Sequence, residues 1–452
     1  MENIYQRMCN AQLLENHPVL NETIKYKKNY ILVLQYFCNK YCCDNKFSIA
    51  MLDLYKQKFL GAQITDADYS SKEIKKTIQY ATAIKFRKFK LFSHRFTLIL
   101  DCLFLCAFHS ESIAKDILSE IKTLFSSRYH KKIDSFFETL YFDGTMPDKI
   151  NVDSNMLKCW NENKAYAKLP QKSILITANM SSGKSTLINS LIGKKICQTR
   201  NDACTAKIHH IQSKAFEDFY TYEYDNTLSL NATQAMLMDN NEDNSPEQVL
   251  ISTYFRFFKA LNDRFLFIDT PGVNSSMDQN HLITTRNALL ESEYDKVLYV
   301  INAENIGTDD DRYYLQYLLE VVKNKKIIFV VNKLDRFKQG EDNIEESLDA
   351  LKKDLLKLGF SEPQICPISA YAGFLSKKKL WNESLNEDEI GELDVLVRKF
   401  KRQEFDLSQY YSLEEQEYGT MLVNSQQDEK TRKYISLLNN SGILALENII
   451  MK

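Results

Sequence analysis

Two hydrophobic rhythms divide this chain. Up to about residue 165, apolar positions recur at helical intervals. Tyr30 to Phe37, Ile49 to Tyr55, Ile113 to Phe125 and Ile133 to Tyr141 all read this way. The Phe96 to Phe108 run is broken by Thr97 and Asp101; it is too short to span a bilayer and reads as a buried helix. Only Gly61 and Gly144 punctuate this region, which suits helices better than a turn-rich β fold. Asp143-Gly144-Thr145-Met146-Pro147-Asp148 is a turn cluster near its end. At Ser173 the rhythm changes. Short continuous apolar runs, Ser173–Thr177, Phe265–Ile268, Lys296–Ile301 and Ile327–Val331, alternate with helical patterns. Such runs are strands buried on both faces, so a mainly parallel sheet flanked by helices is expected. Leu187 to Ile192 reads as a helix stopped by Gly193. Residues 215–262 are ambiguous: Phe219 to Tyr224 alternates like a strand, and Asp239 to Asn244 reads as an exposed loop. Leu375 to about Lys433 is polar and helical, and Ser441-Gly442 opens a final amphipathic helix. The expected organisation is an all-α domain over 1–165, then an α/β domain over 166–452 carrying a helical insertion at about 375–433.

Composition changes this picture little. A length of 452 residues implies two or three domains. The formal net charge of -2 gives no global basic field, so no nucleic-acid partner is expected. Lys377-Lys378-Lys379 reads as a solvated helix face. Among ten cysteines, Cys38, Cys42 and Cys43 lie close together, but no Cys-x-x-Cys pair occurs. Zinc is therefore not expected, and buried thiols in a reducing compartment are. The opening Met-Glu-Asn-Ile-Tyr-Gln-Arg lacks a signal-peptide apolar stretch. The expected location is cytoplasmic, with peripheral membrane contact as a variant.

The chemistry lies in four ordered motifs, each after a strand-like run. The first is Ala178-Asn179-Met180-Ser181-Ser182-Gly183-Lys184-Ser185-Thr186. Strand, loop and helix N-terminus in this order make a phosphate cradle of backbone N–H groups. Lys184 is expected to reach the β and γ phosphates, and Ser185 to coordinate Mg²⁺. The usual first glycine is replaced by Ala178. Asp269-Thr270-Pro271-Gly272 follows an apolar strand. Asp269 suits a carboxylate behind the metal, and the Gly272 amide suits the γ phosphate. In Asn332-Lys333-Leu334-Asp335, the Asp335 carboxylate can accept hydrogen bonds from N1 and N2 of guanine, which adenine lacks. Lys333 can lie along the base. In Ser369-Ala370, the Ala370 amide is expected to face the guanine O6. Thr205 is the candidate to complete the Mg²⁺ shell, with Thr199 as competitor. Arg200 reads as a solvent-facing arginine, with a transition-state cation near the first switch as the alternative. Val273 stands where many small GTPases carry a water-orienting glutamine. Slow intrinsic hydrolysis, accelerated by self-association, is expected.

These segments, Asn-Met-Ser-Ser-Gly-Lys-Ser-Thr-Leu-Ile-Asn-Ser-Leu-Ile-Gly, Ala-Cys-Thr-Ala-Lys-Ile, Asp-Thr-Pro-Gly-Val and Asn-Lys-Leu-Asp, resemble the bacterial dynamin-like GTPases, from about Leu169 to Lys452. The resemblance implies an α/β P-loop GTPase domain that binds GTP and GDP with Mg²⁺. It places Ser181 where a monovalent cation, K⁺ or Na⁺, is held. Lys184, Ser181 and Thr205 are then the catalytic candidates. It also implies a homodimer across the nucleotide face. Family members continue into long stalk helices with a membrane-binding tip, and the sequence ends at Lys452 without such a stretch. Three readings follow: a GTPase whose dimerisation moves a helical domain, a GTP-binding scaffold with negligible hydrolysis, and a membrane-remodelling or tethering GTPase working with a partner dynamin-like chain.

Overall fold

In the computed structural model, the described residues are 4–61, 94–123, 125, 127–142, 150, 152–198, 207–239, 248–259, 262–272, 279–322, 325–426 and 428–452. They contain nine strands: β1 (Gln171–Ala178), β2 (Ile208–Ser213), β3 (Tyr222–Tyr224), β4 (Leu228–Ser229), β5 (Gln248–Thr253), β6 (Arg264–Asp269), β7 (Lys296–Asn302), β8 (Lys326–Asn332) and β9 (Gln364–Pro367). Chain contacts divide the molecule into two compact units, Met1–Leu169 with Lys214–Asn231, and Pro170–Ser213 with Ala232–Lys452.

The first unit is built of helices Ile24–Tyr41, Lys46–Leu60, Arg95–Ala107, Glu111–Thr123, His130–Tyr141 and Ser154–Ala167, with the β3–β4 hairpin. Phe96 to Ala107 is buried throughout. Burying Asp101 there requires donors. It receives them from Tyr30 Oη at 2.6 Å, Tyr55 Oη at 2.9 Å and His17 Nε2 at 2.9 Å. The segment 214–231 joins this unit through Asp218, which accepts from Lys214 Nζ at 2.5 Å and from the Gln12 amide at 3.2 Å. This tie puts the segment with the helices, although it follows β2 in sequence. The strand expected over 219–224 is shortened to Tyr222–Tyr224, because Phe219 adopts a left-handed φ of 67°. The 143–148 turn cluster and residues 240–244 lie outside the described residues. No described helix is long and apolar enough to cross a membrane.

The second unit holds strands in the order β5-β2-β6-β1-β7-β8-β9. From β6 to β9 every pairing is parallel. β2 runs antiparallel to β6 and parallel to β5. β1 explains itself from its sequence: Ile174 and Ile176 pack on one face, Leu175 on the other. The first face is covered by helices Lys184–Ile192 and Ile443–Met451, the second by Asp309–Val321 and Ile344–Leu358 among others. Gly193 ends the Lys184–Ile192 helix at φ 80°; a side chain there would meet Arg256 Cβ at 2.9 Å. Because β1, β6, β8 and β9 are parallel, their C-terminal ends share one edge, and all four motifs emerge there.

Lys377 departs from the expected solvated face. It is fully buried, donates to Leu191 O at 2.7 Å and lies 2.5 Å from Glu447 Oε1. Burial pushes the Glu447 carboxyl up to about 7 and lowers Lys377. Breaking such a pair from one side strands a buried charge. Glu447→Leu alone is expected to cost about 3–5 kcal/mol, and Lys377→Met with Glu447→Leu to return to within about 1 kcal/mol of the parent. Urea unfolding of the three proteins checks this. A double variant no more stable than the single one contradicts it.

Candidate functional site

The loop between β1 and the Lys184–Ile192 helix is shaped by two left-handed residues, Ser181 at φ 58° and Gly183 at φ 88°. Such a turn directs successive N–H groups into a concavity suited to anions. Gly183 is required twice over. Its φ disfavours a side chain, and an added Cβ would run into the Asn332 side chain. Asn179 anchors the loop's start by donating from Nδ2 to Asp311 Oδ1 at 2.5 Å, and Tyr299 Oη reaches the same oxygen at 2.9 Å. Ser182 Oγ is buried and finds no hydrogen-bond partner among the described residues. Met180 closes on Gly272: a Cβ at Gly272 would sit 3.4 Å from Met180 Cγ.

Lys184 and Asp269 meet. Their side chains are 7% and 1% exposed, and the ammonium donates to Asp269 Oδ1. Cys197 Sγ lies 3.7 Å from the other oxygen. Thr270 Oγ1 donates to Ile176 O at 3.1 Å, tying the end of β6 to β1. Ser185 and Thr186 are half-buried in the first turn of the helix. Asn189 holds the chain beyond Gly193 by accepting from the amides of Ile196 and Cys197, both at 2.8 Å.

Asn332 links this end to the third and fourth motifs. Its Nδ2 donates to Ser182 O at 3.1 Å, and its Oδ1 accepts the Ala370 amide at 3.0 Å. The Ala370 N–H expected to face guanine O6 is thus engaged within the protein and locks Asn332 to the Ser369 turn. Lys333 is left-handed at φ 70°, and burial lowers its ammonium's pKa. Ser369 Oγ donates to Asp335 Oδ1 at 2.7 Å and accepts the Ala372 amide at 3.1 Å, capping the Ala370–Leu380 helix. Thr199, Arg200, Thr205 and Val273 lie outside the described residues, so the geometry concerns the other motif residues.

Two contributors were not found from the sequence. Asp311 sits in an acidic run capped by Thr308, and its role follows only from the strand pairing that brings Tyr299 and Asn179 to it. Lys399 comes from the Glu387–Lys399 helix and donates to Asp335 O at 2.5 Å and to Phe337 O. Neither carries a motif signal.

Serine and carboxylate oxygens are hard donors suited to Mg²⁺. Ser185 and Asp269, the unpartnered Ser182 hydroxyl and the loop's concavity fit a phosphate with such a cation.

Residues 174–334 match the dynamin family. Sulfate adenylyltransferase subunit 1 of Bacteroides fragilis is 23% identical over 53% of this chain and 46% of its own length. Dynamin-like protein A of Bacillus subtilis is 24% identical over 42% of this chain and 15% of its own. The chain thus spans less than half the length of these relatives. A structure of a variant of Aquifex aeolicus Era bound to GDP·AlF4⁻ is 21% identical, covering 48% of this chain and 59% of that one with a TM-score of 0.27. The family match begins inside β1 and ends beyond Asn332, taking in the phosphate loop, Asp269 and the start of the third motif; over these residues the chain is similar to the dynamin family.

Proposed function

We propose that the second unit binds GTP with Mg²⁺ and hydrolyses it to GDP and phosphate, and that its nucleotide state drives dimerisation coupled to the helical unit. The observation that carries this reading is the buried Lys184–Asp269 pair beside a phosphate loop that Asn332 ties to the Asp335 segment. A γ phosphate offers the Lys184 ammonium a second anion, and the cation offers the Asp269 carboxylate a second positive partner. Binding then exchanges partners rather than creating unpaired buried charge.

In this reading Ser185 holds Mg²⁺ directly, Asp269 acts behind it, and Thr205 completes its shell. The metal supplies neutralisation of phosphate charge. Asn179, Met180, Ser182, Gly183 and Thr186 shape the cradle, and Gly272 reports the γ phosphate. Ser181 stands where a monovalent cation would assist. Asp335 reads the guanine, held in place by Ser369 and Lys399. Lys333 flanks the base, and Ala370 acts by fixing Asn332. Val273, which offers no group to orient water, favours a second reading: a GTP-gated scaffold with negligible turnover.

Turnover measured against protein concentration, with and without K⁺, separates the two. Turnover per molecule is expected to climb with concentration and to vanish in Lys184→Ala. Tight GTP binding with flat, near-zero turnover would move the assignment to the scaffold.

Base recognition has its own test. Asp335→Asn keeps an acceptor for Ser369 Oγ but presents an amide N–H₂ to the base. Xanthine carries a carbonyl where guanine carries the C2 amino group. GTP affinity is expected to fall by more than about 100-fold while xanthosine triphosphate becomes the preferred ligand. Competitive displacement of a fluorescent nucleotide reads the switch; unchanged GTP affinity would remove Asp335 from base recognition.

A further inference from the structure

The first unit gathers three sulfurs that the nucleotide chemistry does not use. Cys38 lies in the last turn of the Ile24–Tyr41 helix, and Cys42 caps that helix, its N–H bonded to Cys38 O at 3.0 Å. Four residues of helix bring both side chains to one side. Cys106 approaches from the Arg95–Ala107 helix. The three Sγ atoms lie within 4.8 Å of one another, with Cys38 and Cys106 3.7 Å apart. All three residues are buried, at 3%, 9% and 3% exposure.

Two sulfurs bound to one tetrahedral ion at about 2.3 Å lie about 3.8 Å apart. The Cys38–Cys106 separation already matches this, and closing the remaining gap takes under about 1 Å. A set of thiols alone selects thiophilic ions, Zn²⁺ and Cu⁺ above all. Charge decides between them. Arg7 is fully buried against the same helix, its Nη2 donating to Phe104 O at 2.8 Å and Leu105 O at 3.0 Å. Three thiolates with the Arg7 guanidinium leave two negative charges, which a divalent ion neutralises and a monovalent ion does not.

We propose that Cys38, Cys42 and Cys106 form a thiolate site for a divalent d¹⁰ cation of the Zn²⁺ type, which ties the end of the Ile24–Tyr41 helix to the Arg95–Ala107 helix. Binding is an exchange without redox change: three S–H protons leave to solvent and three S–metal bonds form.

The test uses the full chain, reduced and stripped with chelator, then titrated with Co²⁺ as an optical probe and with Zn²⁺ against a chromophoric chelator. The expected result is one equivalent per chain, thiolate-to-cobalt charge-transfer absorption displaced by Zn²⁺, and a raised Tm. Cys42→Ser and Cys106→Ser are expected to weaken binding more than tenfold. Cys102→Ser, on the same helix and fully buried, controls for core damage, and Cys197→Ser for uptake near Asp269; both are expected to keep the absorption. Circular dichroism checks that every variant is folded. Absence of charge-transfer absorption, uptake unchanged in folded Cys42→Ser and Cys106→Ser, uptake of Cu⁺ with none of Zn²⁺, or a Cys38–Cys106 disulfide in place of metal uptake would each overturn the proposal.

Discussion

The Lys184–Asp269 pair constrains the rest of the second unit. Two ionised groups sit at the ends of neighbouring elements, almost wholly out of water. Each carries a desolvation penalty of several kcal/mol, offset chiefly by the partner. The pair therefore demands that β1 and β6 run parallel and in register, because Ile176 opposite Asp269 sets where the carboxylate meets the helix following the loop. The Thr270 hydroxyl on Ile176 O fixes that register from the far side. On the proposed reading, the same demand makes the site responsive: a ligand that supplies an anion and a cation together can enter, whereas either alone leaves one charge poorly matched.

The end of the site proposed to read the base depends on a different device, a set of hydrogen bonds between segments remote in sequence. Asn332 reaches the Ser182 carbonyl across 150 positions and fastens the phosphate loop to β8. Lys399 reaches back to the carbonyls of Asp335 and Phe337, so the helix ending at Lys399 supports the segment that presents the carboxylate. Burial lowers the Lys399 ammonium's pKa, a cost met by those carbonyls and by the neighbouring Asp335 charge. The polar helices after Ser369 are therefore part of the site's support. The buried Lys377–Glu447 pair and the packing of Ile443–Met451 onto the sheet tie them to the core from the other side.

The strands and the motif order were legible because parallel strands buried on both faces must be continuous apolar runs, and their C-terminal ends must share an edge. Ile174 to Ile176 and Ile327 to Val331 could hardly be anything else once the glycine-lysine loop and the Asn332 segment followed them. What escaped depends on pairing rather than on pattern. β2, Ile208-His209-His210-Ile211-Gln212-Ser213, lacks the continuous apolar run of the central parallel strands, and nothing local reveals its antiparallel pairing with β6. Phe219 looked like a strand residue until its left-handed backbone ended the alternation. Lys377 read as solvated within a lysine triplet because nothing local reveals Glu447, 70 positions away on a helix it meets only in three dimensions. Asp311 was hidden for the same reason.

The convergence of the three thiols also has no local signature. Searching for Cys-x-x-Cys assumes a turn or strand that brings sulfurs together at three residues; on a helix the matching spacing is four, and Cys38 and Cys42 satisfy it. Burial of cysteine by itself carries little information, since the residue behaves as a small hydrophobe. Two carboxylates buried elsewhere in the first unit are matched to donors, Asp101 by two tyrosines and a histidine, Asp218 by Lys214. Sulfur has no such need. Three thiols converging beside a buried guanidinium therefore satisfy no hydrogen-bonding requirement of the fold, and a cation that takes up their charge gives the convergence a physical purpose.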